Sequence, residues 1–111
     1  MDYYNPEDLK RFPEIGEFAP ELMDKFFEYY NCATDKDGAL TKREKALIAL
    51  AVAHTEKCPY CIDAYTARCL EMGADPEQMT EAVHVAASMS AGVKLIHAIQ
   101  MHNTLKKNRA L

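Results

Sequence analysis

Two thiols separated by two residues, in Cys58-Pro59-Tyr60-Cys61, are the groups of this chain best suited to chemistry. At that spacing both sulfurs fall within one helical turn, where they can close a disulfide or share a metal. If a helix starts here, Cys58 is its N-cap, Pro59 its first residue and Cys61 its third. A proline loses nothing at that place, because the N–H it lacks would have no intrahelical partner and its fixed φ suits the start. The unpaired N–H groups and the positive end of the helix dipole favour a thiolate, which makes Cys58 the attacking or metal-binding sulfur and Cys61 its resolving partner. Taken alone, the motif fits a redox pair, half of a zinc site, or chance.

Other residues could join the pair. His54 lies four positions before Cys58 and is the nearest candidate base, since imidazole titrates near neutrality; the plainer reading is a histidine that favourably ends a helix. Cys69 follows Cys61 by eight residues, so Cys61, Tyr65 and Cys69 share a helix stripe. A third thiol there could resolve a disulfide or bind zinc or arsenic, although a small buried hydrophobe is the commoner use of such a cysteine. Cys32 is expected to be buried in the same way. His84 lies in or beside an apolar helix face, either aimed at the thiols or packed in the core. His97 and His102 read as surface or interface residues. Asp63, one turn into the helix, complements its dipole and opposes a thiolate, so no catalysis is assigned to it.

The elements that must hold these groups are helical. Residues 1–20 hold three of the five prolines, and read as a one-turn helix near 6–11 followed by an irregular arm. Leu22, Met23, Phe26, Phe27 and Tyr30 recur at helical spacing, giving an aromatic-rich face over 21–30 whose use is core or subunit contact. Asp35, Lys36, Asp37 and Gly38 signal a turn. Thr41 and Glu44 make a capping box, which gives Glu44 a structural task. The following stretch 46–53 is apolar all round and Ala-rich, so it must be covered on nearly every side; one 111-residue chain offers few layers for that, and a homo-oligomer is expected.

The helix opened by the CPYC motif runs to about Met72, with Gly73 just beyond its end. Asp75, Pro76 and Gln78 open another, in which Met79, Ala82, Val83, Ala86 and Met89 keep the period until Ser90, Ala91 and Gly92 interrupt it. A last helix carries Leu95, Ile96, Ile99 and Leu105. No strand alternation and no long repeat is visible, so the fold class is all-α, with five to six helices in a single domain over 1–111.

Composition narrows the function further. The net charge of -4, with Lys and Arg scattered among acids, gives no footprint for nucleic acid. The first residues lack the basic and apolar regions of a signal peptide, and the longest apolar run is too short to cross a bilayer. A cytoplasmic protein without membrane partners is expected, in a compartment where a CxxC is more often catalytic or metal-binding than structural.

CPYC is also the glutaredoxin motif, but there it follows a strand of a thioredoxin-like sheet, whereas here a helix precedes it. The order and spacing of TKREKALIALAVAH and then CxxC instead resemble the carboxymuconolactone decarboxylase and alkylhydroperoxidase D-like family, over roughly residues 40–103. The wording is nearest to peroxidase-like proteins associated with arsenosugar biosynthesis, which share EKALIALAVAH, CPYCIDAYT and EAVHVAA.

The resemblance implies an all-helical domain assembled as trimers or hexamers, with a CxxC that reduces a hydroperoxide and is regenerated by a thiol or disulfide reductant. No cofactor and no resident metal are expected. Peroxidatic members usually carry a Glu twelve residues before the first Cys and a His four residues after the second, as a proton relay. Here those positions are Ala46 and Tyr65. A phenol donates a hydrogen bond well but is a poor base near neutrality, so the departure bears on proton transfer and not on the thiols. The candidate catalytic residues are therefore Cys58, Cys61, His54 and Tyr65. The expected function is a thiol peroxidase or disulfide reductase acting on hydroperoxides. The alternatives are a thiol-based metal or arsenic binder and a lactone decarboxylase, the family's other activity, which needs no thiol.

Overall fold

The computed structural model describes residues 3–109 and contains only helices there. A 3-10 helix, Pro6–Glu17, leads into α1 (Pro20–Thr34), α2 (Lys42–Thr55), α3 (Pro59–Glu71) and α4 (Pro76–Arg109). The all-α expectation and the helix count are met.

The N-terminal arm is more regular than its prolines suggested. Asn5 caps it by accepting from the Glu7 N–H at 3.0 Å, and the winding continues through Pro13. Side chains three apart eclipse in a 3-10 helix, and this arm places opposite charges at that spacing, Lys10 with Glu7 and Arg11 with Asp8 and Glu14. These pairs are exposed and add little stability each. What fixes the arm is Phe12, whose ring lies 5.9 Å from Phe26 and 5.1 Å from Phe27 of α1. Part of the aromatic face of α1 thus meets the arm, while Leu22 and Phe26 remain exposed.

In α2 the capping box forms as expected. The Glu44 N–H donates to Thr41 Oγ1 at 3.1 Å, and the Thr41 N–H donates to Glu44 Oε1 at 2.9 Å. This helix is the hub, packing chiefly on α3 and α4. The core between them is small: Ala46, Leu50, Cys69 and Ala74, flanked by Leu47, Tyr65, Met72 and Met79. Ile48 and Val52, on the other side of α2, stay half exposed.

The interruption expected at residues 90–92 does not occur. A single α4 runs for 34 residues, straight through Gly92. One glycine costs a helix about 1 kcal/mol relative to alanine, too little to break a hydrogen-bond ladder already propagating on both sides. Beyond Ser90 this helix has almost no cover from its own chain, and Leu95, Ile96 and Ile99 are more than half exposed. It is long and apolar enough to cross a membrane by length and composition, with a mean hydropathy of 1.3 over its best 18 residues.

Candidate functional site

The thiol pair sits where α2 ends and α3 begins, and one residue belongs to both ends. Glu56 closes α2, the Lys57 N–H returns to the His54 carbonyl at 3.2 Å, and the Cys58 N–H returns to the Ala53 carbonyl at 3.0 Å. That pair of bonds is a Schellman motif, with Lys57 in the left-handed conformation at φ 53°. Cys58 is then also the N-cap of α3, its Sγ accepting the Cys61 N–H at 3.3 Å. Pro59 stands first in the helix and Cys61 third, as the motif implied. The end of α3 repeats the device, with Gly73 at φ 86° and the Ala74 N–H bonded to the Cys69 carbonyl at 2.9 Å.

The two sulfurs lie 2.6 Å apart, both half-buried and both free. They are not equivalent. Burial first, then the hydrogen bond and the charge of Cys58, push the Cys61 thiol up to about 11. Cys61 therefore keeps its proton near neutrality, while Cys58 receives a backbone N–H at the positive end of α3.

Two clefts meet at Cys61, and the first of them also reaches Cys58. One, of about 550 Å³, separates the arm from α3 and is lined by Leu9, Phe12, Ile15 and Tyr60 together with Cys58 and Cys61. The other, of about 420 Å³, lies among α1, α2 and α3, with Tyr30, Leu40, Ile48, Val52 and Tyr65 around Cys61. Tyr4 ties the arm to the site. Its hydroxyl donates to Asp63 Oδ2 at 2.7 Å and its ring lies 4.8 Å from that of Tyr60. The bond to Asp63, helped by desolvation, raises the Tyr4 phenol to about 12.

The other residues singled out from the sequence fare differently. Tyr65 reaches the site, half-buried on the wall of the second cleft and hydrogen-bonded to the Tyr30 hydroxyl. Tyr30 was read only as part of an aromatic face; that it ends this face, four residues beyond Phe26, was its only signal in the sequence. His54 lines neither of these two clefts, and its Nδ1–H donates to the Leu50 carbonyl at 2.8 Å, one turn back in its own helix. Cys69 is fully buried in the core and does not join the pair; burial raises its thiol too. Cys32, expected to be buried, is exposed, on a side of α1 turned away from the contacts that Phe27 and Tyr30 make. His84, His97 and His102 are exposed. Among the described residues no cluster of three or more His, Cys, Asp or Glu could hold a metal ion.

The carboxymuconolactone decarboxylase family profile matches residues 20–102, that is, from the start of α1 through most of α4. The chain belongs to this family. The family match thus begins earlier than residue 40 and takes in α1, the helix that carries Tyr30. A crystal structure of a carboxymuconolactone decarboxylase family protein from Legionella pneumophila is similar, with a TM-score of 0.67 and 33% identity over 84% of this chain and 82% of that one. An uncharacterized protein encoded in the cox locus of Paracoccus denitrificans is 52% identical over 62 residues, 56% of either chain. An uncharacterized protein of Cupriavidus necator is 30% identical over 89 residues, 80% of this chain and 78% of that protein. The match to the Paracoccus protein spans little more than half of its length.

The family includes alkylhydroperoxidase-like members, and their relay positions can now be located in this fold. Ala46 is 2% exposed, packed with Leu50, Cys69 and Ala74. The position is sealed in the core. Glu44, two residues away, is occupied by its cap and held below the usual carboxylate range by the Thr41 backbone and hydroxyl.

Proposed function

We propose that this carboxymuconolactone decarboxylase family protein is a CxxC thiol peroxidase that reduces hydroperoxides. The observation that carries the reading is the pair of sulfurs 2.6 Å apart at the start of α3, both on the first cleft, with the Cys61 thiol pushed up by burial. The Cys58 thiolate attacks the outer oxygen of a hydroperoxide; the S–O bond forms, the O–O bond breaks, and the alkoxide leaves as an alcohol after taking a proton. Cys61 then attacks the sulfenic acid, closing the disulfide and releasing the hydroxyl oxygen as water. Two thiols are oxidised and one hydroperoxide is reduced. A dithiol reductant restores the pair. Sulfurs already in contact need little motion to reach the bonded distance of about 2.05 Å.

The metal or arsenic reading finds less support, since Cys69 is held in the core and cannot supply a third sulfur without unpacking it. Lactone decarboxylation needs no thiol, and Cys58→Ser separates it from the peroxidase. The test is a stoichiometric pulse of hydroperoxide on the reduced protein, followed by thiol titration and intact mass. Loss of two thiols with a fall of about 2 Da, absent in Cys58→Ser, is the expected result. Retention of all four thiols refutes the reading.

The same reading includes self-assembly. The second half of α4 exposes Val93, Leu95, Ile96 and Ile99, and Ile48 and Val52 of α2 are half exposed as well. A second copy of the chain is the cover proposed for these faces, rather than lipid, since Lys94 and His97 fall within the apolar stretch of α4.

A further inference from the structure

The peroxidase cycle needs a proton at the leaving oxygen, and several groups around the thiols are engaged elsewhere or have none to give. Ala46 has no proton to give. The Nδ1–H of His54 is held by the Leu50 carbonyl, and Asp63 accepts from Tyr4. Thr34, on the wall of the second cleft, donates its hydroxyl proton to the Tyr30 carbonyl at 2.8 Å. Tyr60 lies on the first cleft with both sulfurs, whereas the wall of the second cleft carries Cys61 together with two phenols, Tyr30 and Tyr65, and Lys45, among mostly apolar side chains.

We propose that Tyr65 and Tyr30, joined hydroxyl to hydroxyl on the wall that carries Cys61, form the proton route of this site, with Tyr65 as the donor to the leaving oxygen and Tyr30 as its positioning partner. The proposal rests on the peroxidase reading above and adds the residues that move its proton. As the O–O bond breaks, Tyr65 gives its proton to the alkoxide, and the Tyr30 hydroxyl donates to the phenolate left behind. The Cys61 thiol then returns a proton to Tyr65. The Cys61 sulfur attacks the sulfenic acid of Cys58, the S–S bond forms, the S–O bond breaks, and the hydroxide is neutralised by solvent. The net proton movement is from Cys61 to the alcohol.

The electrostatics of the site agree with this route. Burial, the bond to Tyr65 and then the charges of Cys61 and Cys58 all hold the Tyr30 phenol well above its ordinary value. Tyr30 thus senses both sulfurs and stays a donor throughout. The high proton affinity of Cys61 keeps a proton stored next to the phenols until the alkoxide demands it. An alkoxide is far more basic than a phenolate, so the first transfer runs downhill.

The test compares two oxidants on the full-length reduced protein, by stopped-flow measurement of disulfide formation. Cumene hydroperoxide expels an alkoxide, which needs a proton; peracetic acid expels a carboxylate, which does not. Tyr65→Phe is expected to slow the reaction with cumene hydroperoxide by about 100-fold and that with peracetic acid by no more than about threefold, the size of a lost general acid. Tyr30→Phe is expected to give the same split at about tenfold, because a donor that has lost its partner is misplaced but present. Lys25→Met, exposed on α1 and on neither cleft, leaves both rates unchanged. Equal slowing of both oxidants, or slowing of neither, overturns the proton route while the peroxidase stands. A parent protein that forms no disulfide with either oxidant removes the peroxidase and the route with it.

Discussion

The backbone N–H of Cys58 is bonded to the carbonyl of Ala53 at 3.0 Å, so the first thiol of the motif is fixed by the helix before it as well as by the helix it caps. Ala53 is buried in α2, the hub of the fold. A sulfur anchored through such a bond moves with the core and not with a surface loop. The pair is thereby held in place on the first cleft.

Lys57 pays for that geometry. Its φ of 53° is a conformation that costs a non-glycine residue about 1–2 kcal/mol. Lys57→Gly is expected to stabilise the fold by about 0.5–1 kcal/mol, the remainder being lost to the greater freedom of glycine in the unfolded chain. Gly73→Ala, at φ 86°, is expected to destabilise by about 1–2 kcal/mol. Urea denaturation of the two variants checks both signs, and a destabilised Lys57→Gly contradicts the Schellman assignment.

Thiol reactivity should follow the asymmetry of the pair. With the exposed Cys32 replaced by Ser, iodoacetamide at pH 7 is expected to label Cys58 first, Cys61 only as the pH approaches about 11, and Cys69 only on unfolding. Peptide mapping reads the order. Stability has the matching dependence. Cys61 keeps its proton in the folded state up to about 11 but loses it near the ordinary 9.0 when unfolded, so its contribution is whole below pH 9 and falls away as the pH rises through 11. Cys61→Ala should flatten that part of the curve, and an unchanged slope would count against a buried, protonated Cys61.

Much of this architecture was legible in the sequence because it depends on local chemistry. Thr41 with Glu44, Asp75 with Gln78, Pro at the start of each of the last two helices and Gly73 act within a turn or two, and each is found in its expected place. What local signals could not settle was whether a weak breaker wins. Gly92 was read as an end and is passed over, and Pro13 sits inside a helix whose tighter winding tolerates it. The site divides the same way. Cys58 and Cys61 follow from their motif and Tyr65 from the relay position that the family resemblance marks, while Tyr30, thirty-five residues from Tyr65, is brought there by the packing of α1. Cys32 and Cys69 could not be told apart as exposed and buried without that packing.

The exposed half of α4 should govern assembly. Ile96 is 65% exposed on a stretch with almost no cover from the described residues of its own chain. Light scattering of the parent protein at micromolar concentration is expected to give a multiple of the protomer mass, and Ile96→Glu is expected to shift it toward the protomer, since an unpaired charge in an apolar contact is strongly unfavourable. A parent that runs as a monomer excludes the assembly.

Restoring the relay of the peroxidatic relatives should fail at one of its two positions, for a reason of packing. Ala46 packs with Leu50, Cys69 and Ala74 in a core that, among the described residues, has no buried polar groups, so a Glu side chain there has neither room nor a partner for its carboxylate. Ala46→Glu is expected to destabilise the fold by about 3 kcal/mol or more, combining overpacking with an unpaired buried charge. Thermal unfolding at pH 7 measures the loss, which should shrink at pH 4, where the carboxyl is neutral. Tyr65→His, on the cleft wall, should fold normally but break the contact with Tyr30. A stable Ala46→Glu with faster peroxide consumption would mean that the core around α2 opens enough to admit the relay, and that Ala46 limits only the rate.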